Sequence, residues 1–99
     1  MKEADIQKQA HDILRQLKIP FFHLEKGRAV HRAHSKGFPD IMFMHNGRTF
    51  MVELKKEGGV ISPKQQEVLK GYARHGCITR IIFGIENFMK LLEEYGIIK

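Results

Sequence analysis

The chain has a single cysteine, Cys77, so no disulfide can form within it and an intracellular setting fits. With no base on its own element, Cys77 reads as a packing or loop residue rather than a nucleophile. No stretch approaches the roughly 20 consecutive apolar residues that a membrane span requires, which predicts no membrane partner. The polar opening Met1-Lys2-Glu3-Ala4-Asp5 is not followed by the apolar segment of a signal peptide, so the expected location is the cytoplasm. Repeats and low-complexity segments are absent. At 99 residues there is room for one hydrophobic core and not for two, so residues 1 to 99 are read as one domain.

Acidic residues are in the minority, 11 Asp and Glu against 17 Lys and Arg, for a formal net charge of +6. That balance favours a polyanionic partner. One stretch concentrates it: Lys26, Arg28, His31, Arg32, His34 and Lys36 lie within eleven residues that hold no acid, directly before Gly37-Phe38-Pro39-Asp40. A basic loop of this kind is an electrostatic footprint for a phosphate backbone. The six histidines yield no closed metal site. His31 and His34 have the spacing of a pair, yet no Cys or further His stands where a tetrahedral site would need it, so phosphate contact is the better reading. His11, His23, His45 and His75 show no constellation.

The patterning gives alternating elements with no linker. Ile6, Ala10, Ile13, Leu14 and Leu17 recur at helical spacing over residues 3 to 18, and Pro20 stops the pattern. Phe21 to Glu25 reads as a short strand. Asn46-Gly47 between two apolar runs predicts a hairpin, because a type I′ turn needs positive φ at both central residues and these types tolerate it. Ser62-Pro63-Lys64-Gln65 opens a helix that Gly76 closes, with Val68, Leu69, Tyr72 and Ala73 as its apolar stripe. Ile78 to Phe83 reads as a buried strand, and Phe88, Leu91, Leu92 and Tyr95 mark a last helix over about 86 to 95. Phe21, Phe22 and Phe50 are assigned to packing rather than to base stacking.

The hairpin carries the chemistry. If Asn46 and Gly47 are the loop, His45 faces Arg48 and, stepping outward one residue on each strand, Asp40 faces Glu53. Alternation from the closing pair makes that a non-hydrogen-bonded position, where side chains approach most closely. Strand side chains alternate between faces, so Lys55 shares a face with Glu53 and Asp40, while Ile41, Phe43, Val52 and Leu54 take the other. Lys56 has the opposite parity. Two facing carboxylates repel, and a hard cation such as Mg²⁺, with water and phosphate oxygens completing its shell, would resolve the repulsion. The competing reading is an ordinary amphipathic hairpin with a solvated charged face. Met42, Met44 and Met51 on that face speak against it.

These pieces together resemble the VRR-NUC domain, in its stand-alone, phage-type form, a branch of the PD-(D/E)XK nuclease superfamily. The matching segments are Glu3-Ala4-Asp5-Ile6-Gln7, Gly37-Phe38-Pro39-Asp40, Glu53-Leu54-Lys55 and Ser62-Pro63-Lys64-Gln65, in the order and context that the family requires. The resemblance implies an α/β fold with a restriction-endonuclease-like αβββαβ core, a mixed sheet flanked by helices, and an extra C-terminal helix. It implies that Asp40, Glu53 and the backbone carbonyl of Leu54 hold Mg²⁺ or Mn²⁺, and that Lys55 stabilises charge at the scissile phosphate. It also implies a structure-selective DNA endonuclease that acts on branched or junction DNA, Holliday-junction-resolvase-like as a homodimer, in the host cytoplasm if phage-encoded. The alternatives are a non-catalytic nucleic-acid-binding module on a nuclease fold, or a nuclease acting on flaps, ordinary duplex or RNA.

Two further catalytic candidates have a second reading. Glu3 matches the acid of the family's first helix, but an acid in a first turn also suits the helix dipole. Gln65 matches an active-site glutamine, but it also completes a capping box with Ser62, and one side chain is not expected to serve both ends well. The functional role is favoured for Gln65.

Overall fold

The computed structural model describes residues 2–23 and 37–99. The basic positions Lys26, Arg28, His31, Arg32, His34 and Lys36, and the end of the first expected strand at Leu24 and Glu25, lie outside the described residues.

Helix α1 spans Glu3–Gln16 and buries Ile6, Ala10 and Leu14 at the expected spacing. It ends two residues before the expected limit. Lys18 takes a left-handed φ of 59°, and this lets the Ile19 N–H bond the Leu14 carbonyl at 2.9 Å. The reversal buries Ile19 ahead of Pro20. Strand β1 (Phe21–His23), strand β2 (Ile41–His45) and strand β3 (Arg48–Lys55) form an antiparallel meander. The Asn46-Gly47 turn has φ of 49° and 77°, and the ladder pairs His45 with Arg48 through to Ile41 with Val52. The predicted register is the observed one.

Helix α2 (Pro63–Arg74) then crosses over to strand β4 (Ile78–Phe83), which pairs parallel to β3. A parallel pair demands such a crossover. Helix α3 (Ile85–Glu94) closes the chain, and the four strands lie in the order β1-β2-β3-β4. The element order and mixed sheet agree with the expected α/β architecture, including the extra C-terminal helix. One expectation fails: β4 is an edge strand, and within it only Ile82 is buried. Its β-branched run packs against neighbours on its faces while one backbone edge has no partner strand among the described residues.

Central strand β3 separates two environments. Phe50, Val52 and Leu54 join Ile41, Phe43, Ile6, Leu14, Phe88 and Leu92 in the core, where α1 and α3 pack on one face of the sheet. Phe43 and Phe50 stack there with centroids 4.6 Å apart. The other face carries Met51, Glu53 and Lys55, with α2 beside it. Met51 is buried on this face while Met44 is half exposed. Phe22, assigned above to packing, is also half exposed: it pairs with Met42 and so points away from the core, in contrast to Phe21 beside it.

Candidate metal centre

The loop leading into β2 is fixed before the first carboxylate is reached. Gly37 has φ +79°, and a Cβ built on it would come within 2.8 Å of Lys64 Cγ and 3.0 Å of the Lys64 carbonyl oxygen. Only glycine lets the chain approach the first turn of α2 so closely. Phe38 then meets Tyr72 of α2 edge to face at 5.8 Å, and Pro39 is buried. The Gly-Phe-Pro-Asp segment therefore docks on α2 and delivers Asp40 to the start of β2.

Asp40 is 3% exposed and Glu53 2% exposed, so neither belongs to a solvated face. Asp40 stands one residue outside the ladder, next to the Ile41–Val52 pair. There its Oδ2 accepts a 2.8 Å hydrogen bond from the Leu54 backbone N–H. In a continuing ladder that N–H would seek a carbonyl of the residue before Asp40; the carboxylate takes that place. The N–H and carbonyl of one strand residue point to the same side, so the Leu54 carbonyl is directed toward this end of the hairpin as well. Asp40 Oδ1 accepts a 3.2 Å bond from Gln7 Nε2, on the helix covering the opposite face.

Glu53 is held from α2. Gln65 Nε2 donates to Glu53 Oε2 at 2.9 Å, while Gln65 Oε1 accepts from the Ser62 backbone N–H at 2.9 Å and the Gln65 N–H donates to Ser62 Oγ at 3.1 Å. Gln65 thus serves the capping box and the carboxylate together, contrary to the expectation above. An amide has an acceptor and a donor at different atoms, and each end has its own partner. Lys55 Nζ lies 3.8 Å from Glu53 Oε2, an ion pair rather than a hydrogen bond, with the lysine side chain 13% exposed. Lys56 is exposed.

Among the described residues Glu3 makes no hydrogen bond or ion pair with either carboxylate. The α1 residue that reaches Asp40 is Gln7, one turn further along. Two histidines assigned to no constellation also come close. His23 Nδ1 lies 3.1 Å from the Asp40 carbonyl oxygen, and His11 meets the His23 ring at 4.7 Å and stacks on Phe21 at 5.0 Å. Burial lowers the His11 pKa, and the positive charges of His23 and Arg15 push it further down against Asp12 and Asp40. The available signal was the four-residue spacing of Glu3, Gln7 and His11, a polar line beside the apolar stripe of α1.

All the donors here are oxygens: two buried carboxylates and a backbone carbonyl. No group of three or more His, Cys, Asp or Glu side chains that would hold a metal occurs among the described residues. The donor set fits a hard cation that retains water and takes substrate oxygens, and does not fit a closed tetrahedral site.

This fold has solved counterparts. The chain superposes on a structure described as a VRR_NUC domain protein with a TM-score of 0.77 at 21% identity, covering 96% of this chain and 88% of the other. A second, described as a VRR_NUC domain, gives 0.75 at 24% identity, covering 96% and 98%. No family model and no curated protein matches the sequence. The chain thus has the fold of these VRR_NUC domain proteins. No helix of the described residues is long and apolar enough to cross a membrane.

Proposed function

We propose that the protein is a Mg²⁺- or Mn²⁺-dependent DNA endonuclease that hydrolyses phosphodiester bonds in branched DNA. The observation that carries this reading is the burial of Asp40 and Glu53 at one end of the β2–β3 hairpin with Lys55 beside them, on the fold of VRR_NUC domain proteins. In this reading Asp40, Glu53 and the Leu54 carbonyl hold the cation. A divalent ion bound there supplies Lewis-acid polarisation of the phosphate and lowers the pKa of its bound water. The ammonium of Lys55 stabilises the charge that develops on the phosphate as the P–O bond breaks. Gln65 would hold the Glu53 carboxylate in place for that role through its 2.9 Å hydrogen bond. Glu3, which touches neither carboxylate directly, enters through water. Lys26, Arg28, His31, Arg32, His34 and Lys36 gather the phosphate backbone.

A homodimer would present two such sites related by a two-fold axis and so cut the symmetric strands of a junction. The test is a panel of end-labelled junction, flap, duplex, single-stranded and RNA substrates with Mn²⁺, run with the parent and Asp40→Ala. The expected result is metal-dependent cutting of the junction by the parent alone. Intact DNA throughout, or equal cutting by the variant, would overturn the reading, and preferential cutting of flap or RNA would change its substrate. Sedimentation equilibrium reads the dimer.

A further inference from the structure

Asp40 is restrained at three of its atoms. Oδ2 takes the Leu54 N–H, the backbone carbonyl lies against His23, and Oδ1 takes Gln7 Nε2. The first two restraints come from the sheet itself. The third comes from a side chain on a different element, 33 residues earlier in the chain.

The chemistry of that donor is informative. One hydrogen bond to Oδ1 and one to Oδ2 fix the plane of the carboxylate, since each oxygen accepts along a lone-pair direction in that plane. A lysine or arginine in place of Gln7 would fix the carboxylate equally well but would oppose a divalent ion by its charge. A neutral amide restrains the group without that opposition. Glu53 also receives a glutamine amide, from Gln65 of α2, with the Lys55 ammonium 3.8 Å away in addition. The two carboxylates are thus each held by the amide of a glutamine, one from each of two helices that pack on opposite faces of the sheet.

We propose that Gln7 is a positioning residue for the candidate metal centre: its side-chain amide orients the Asp40 carboxylate before any cation binds. This rests on the assignment of Asp40 as a metal ligand. Groups that orient ligands in this manner typically change metal affinity by about 10- to 100-fold when removed. Gln7 lies on the half-buried flank of α1, outside the buried stripe of Ile6, Ala10 and Leu14, so its replacement leaves the core contacts in place.

The test is calorimetric titration of Mn²⁺ into the full chain after treatment with chelator. Gln7→Met keeps the length of the side chain and removes the donor; Gln7→Ala, which keeps helix propensity, runs in parallel. Both are expected to raise the Mn²⁺ dissociation constant about 10-fold or more, with metal-free thermal midpoints near that of the parent. A cycle with Asp40→Ala separates positioning from packing. If Gln7 acts through Asp40, adding Gln7→Met to Asp40→Ala weakens Mn²⁺ binding no further. Parent-like affinity in both Gln7 variants, with Asp40→Ala impaired, would overturn the proposal alone. An equal extra loss in the Asp40→Ala background would overturn it as well, since Gln7 would then be acting through the fold. Parent-like affinity in Asp40→Ala itself would remove the metal-ligand assignment, and the proposal with it.

Discussion

Gln65 joins the start of α2 to Glu53 through one amide group, its oxygen on the Ser62 N–H and its nitrogen on the Glu53 carboxylate. The orientation of the amide is set by the cap, because only Oε1 can accept from a backbone N–H. Nε2 is thereby left to face Glu53. Helix capping and ligand placement are one arrangement here, and they can be separated by mutation.

Ser62→Ala removes the Oγ acceptor of the Gln65 N–H and keeps the backbone N–H that orients the amide. It is expected to cost about 1 kcal/mol of stability and to leave Mn²⁺ affinity near the parent's. Gln65→Leu removes both ends, so it is expected to cost stability by a similar amount and also to weaken Mn²⁺ binding. Chemical denaturation and calorimetry on the two variants read the contrast.

Gly37→Ala is expected to destabilise the fold by more than the roughly 1–2 kcal/mol of placing an L-residue in a left-handed conformation. The added methyl also meets the Lys64 carbonyl at 3.0 Å. Because Gly37 leads directly to Asp40, the same variant should lose Mn²⁺ affinity. Urea denaturation and metal titration together would check this; a loss of stability with unchanged metal binding would show that Asp40 is placed independently of the loop.

Lys18→Gly should do the opposite. Lys18 already holds φ 59° at the end of α1, where glycine is the favoured residue. The variant is expected to gain up to about 1 kcal/mol, read as a higher thermal midpoint, with activity unchanged.

His11 sets an acid limit on stability. Its pKa is lowered in the folded chain, chiefly by burial and then by His23 and Arg15, so the unfolded chain takes up the proton first. Its contribution is therefore intact above about pH 6.5 and is lost as the pH falls through the depressed folded value. His11 Nε2 is buried without a hydrogen-bond partner among the described residues, which adds to the cost of holding the ring there. His11→Phe keeps the stack on Phe21. The parent should lose more thermal stability than this variant between pH 7.5 and pH 5, and equal losses would count against the assignment.

Much of this architecture was legible because short-range rules happened to agree with the tertiary outcome. Asn46 and Gly47 dictate the turn, and the turn dictates the register from His45–Arg48 to Ile41–Val52, with Asp40 next in the chain. The limits of β3 and β4 follow from the same patterning. What escaped reading was set by distance in the chain. The polar line of Glu3, Gln7 and His11 marks one flank of α1, but neither it nor His23 shows in the sequence how α1 and β1 fold against the start of β2. The edge position of β4 was hidden because an apolar β-branched run looks alike at an edge or in the interior. Gln65 was misjudged by treating its amide as one group rather than as two.

The Leu54 N–H that bonds the Asp40 carboxylate has a consequence for change in this chain over time. A side chain stands where a backbone acceptor would extend the ladder, so the hairpin stops being interchangeable with its shifted forms at that point. Shifting the pairing by one residue would carry Glu53 and Lys55 to the opposite face relative to Asp40 and take this bond away. A change of length between positions 40 and 55 is therefore open to the protein only where the loop takes it up without shifting the pairing.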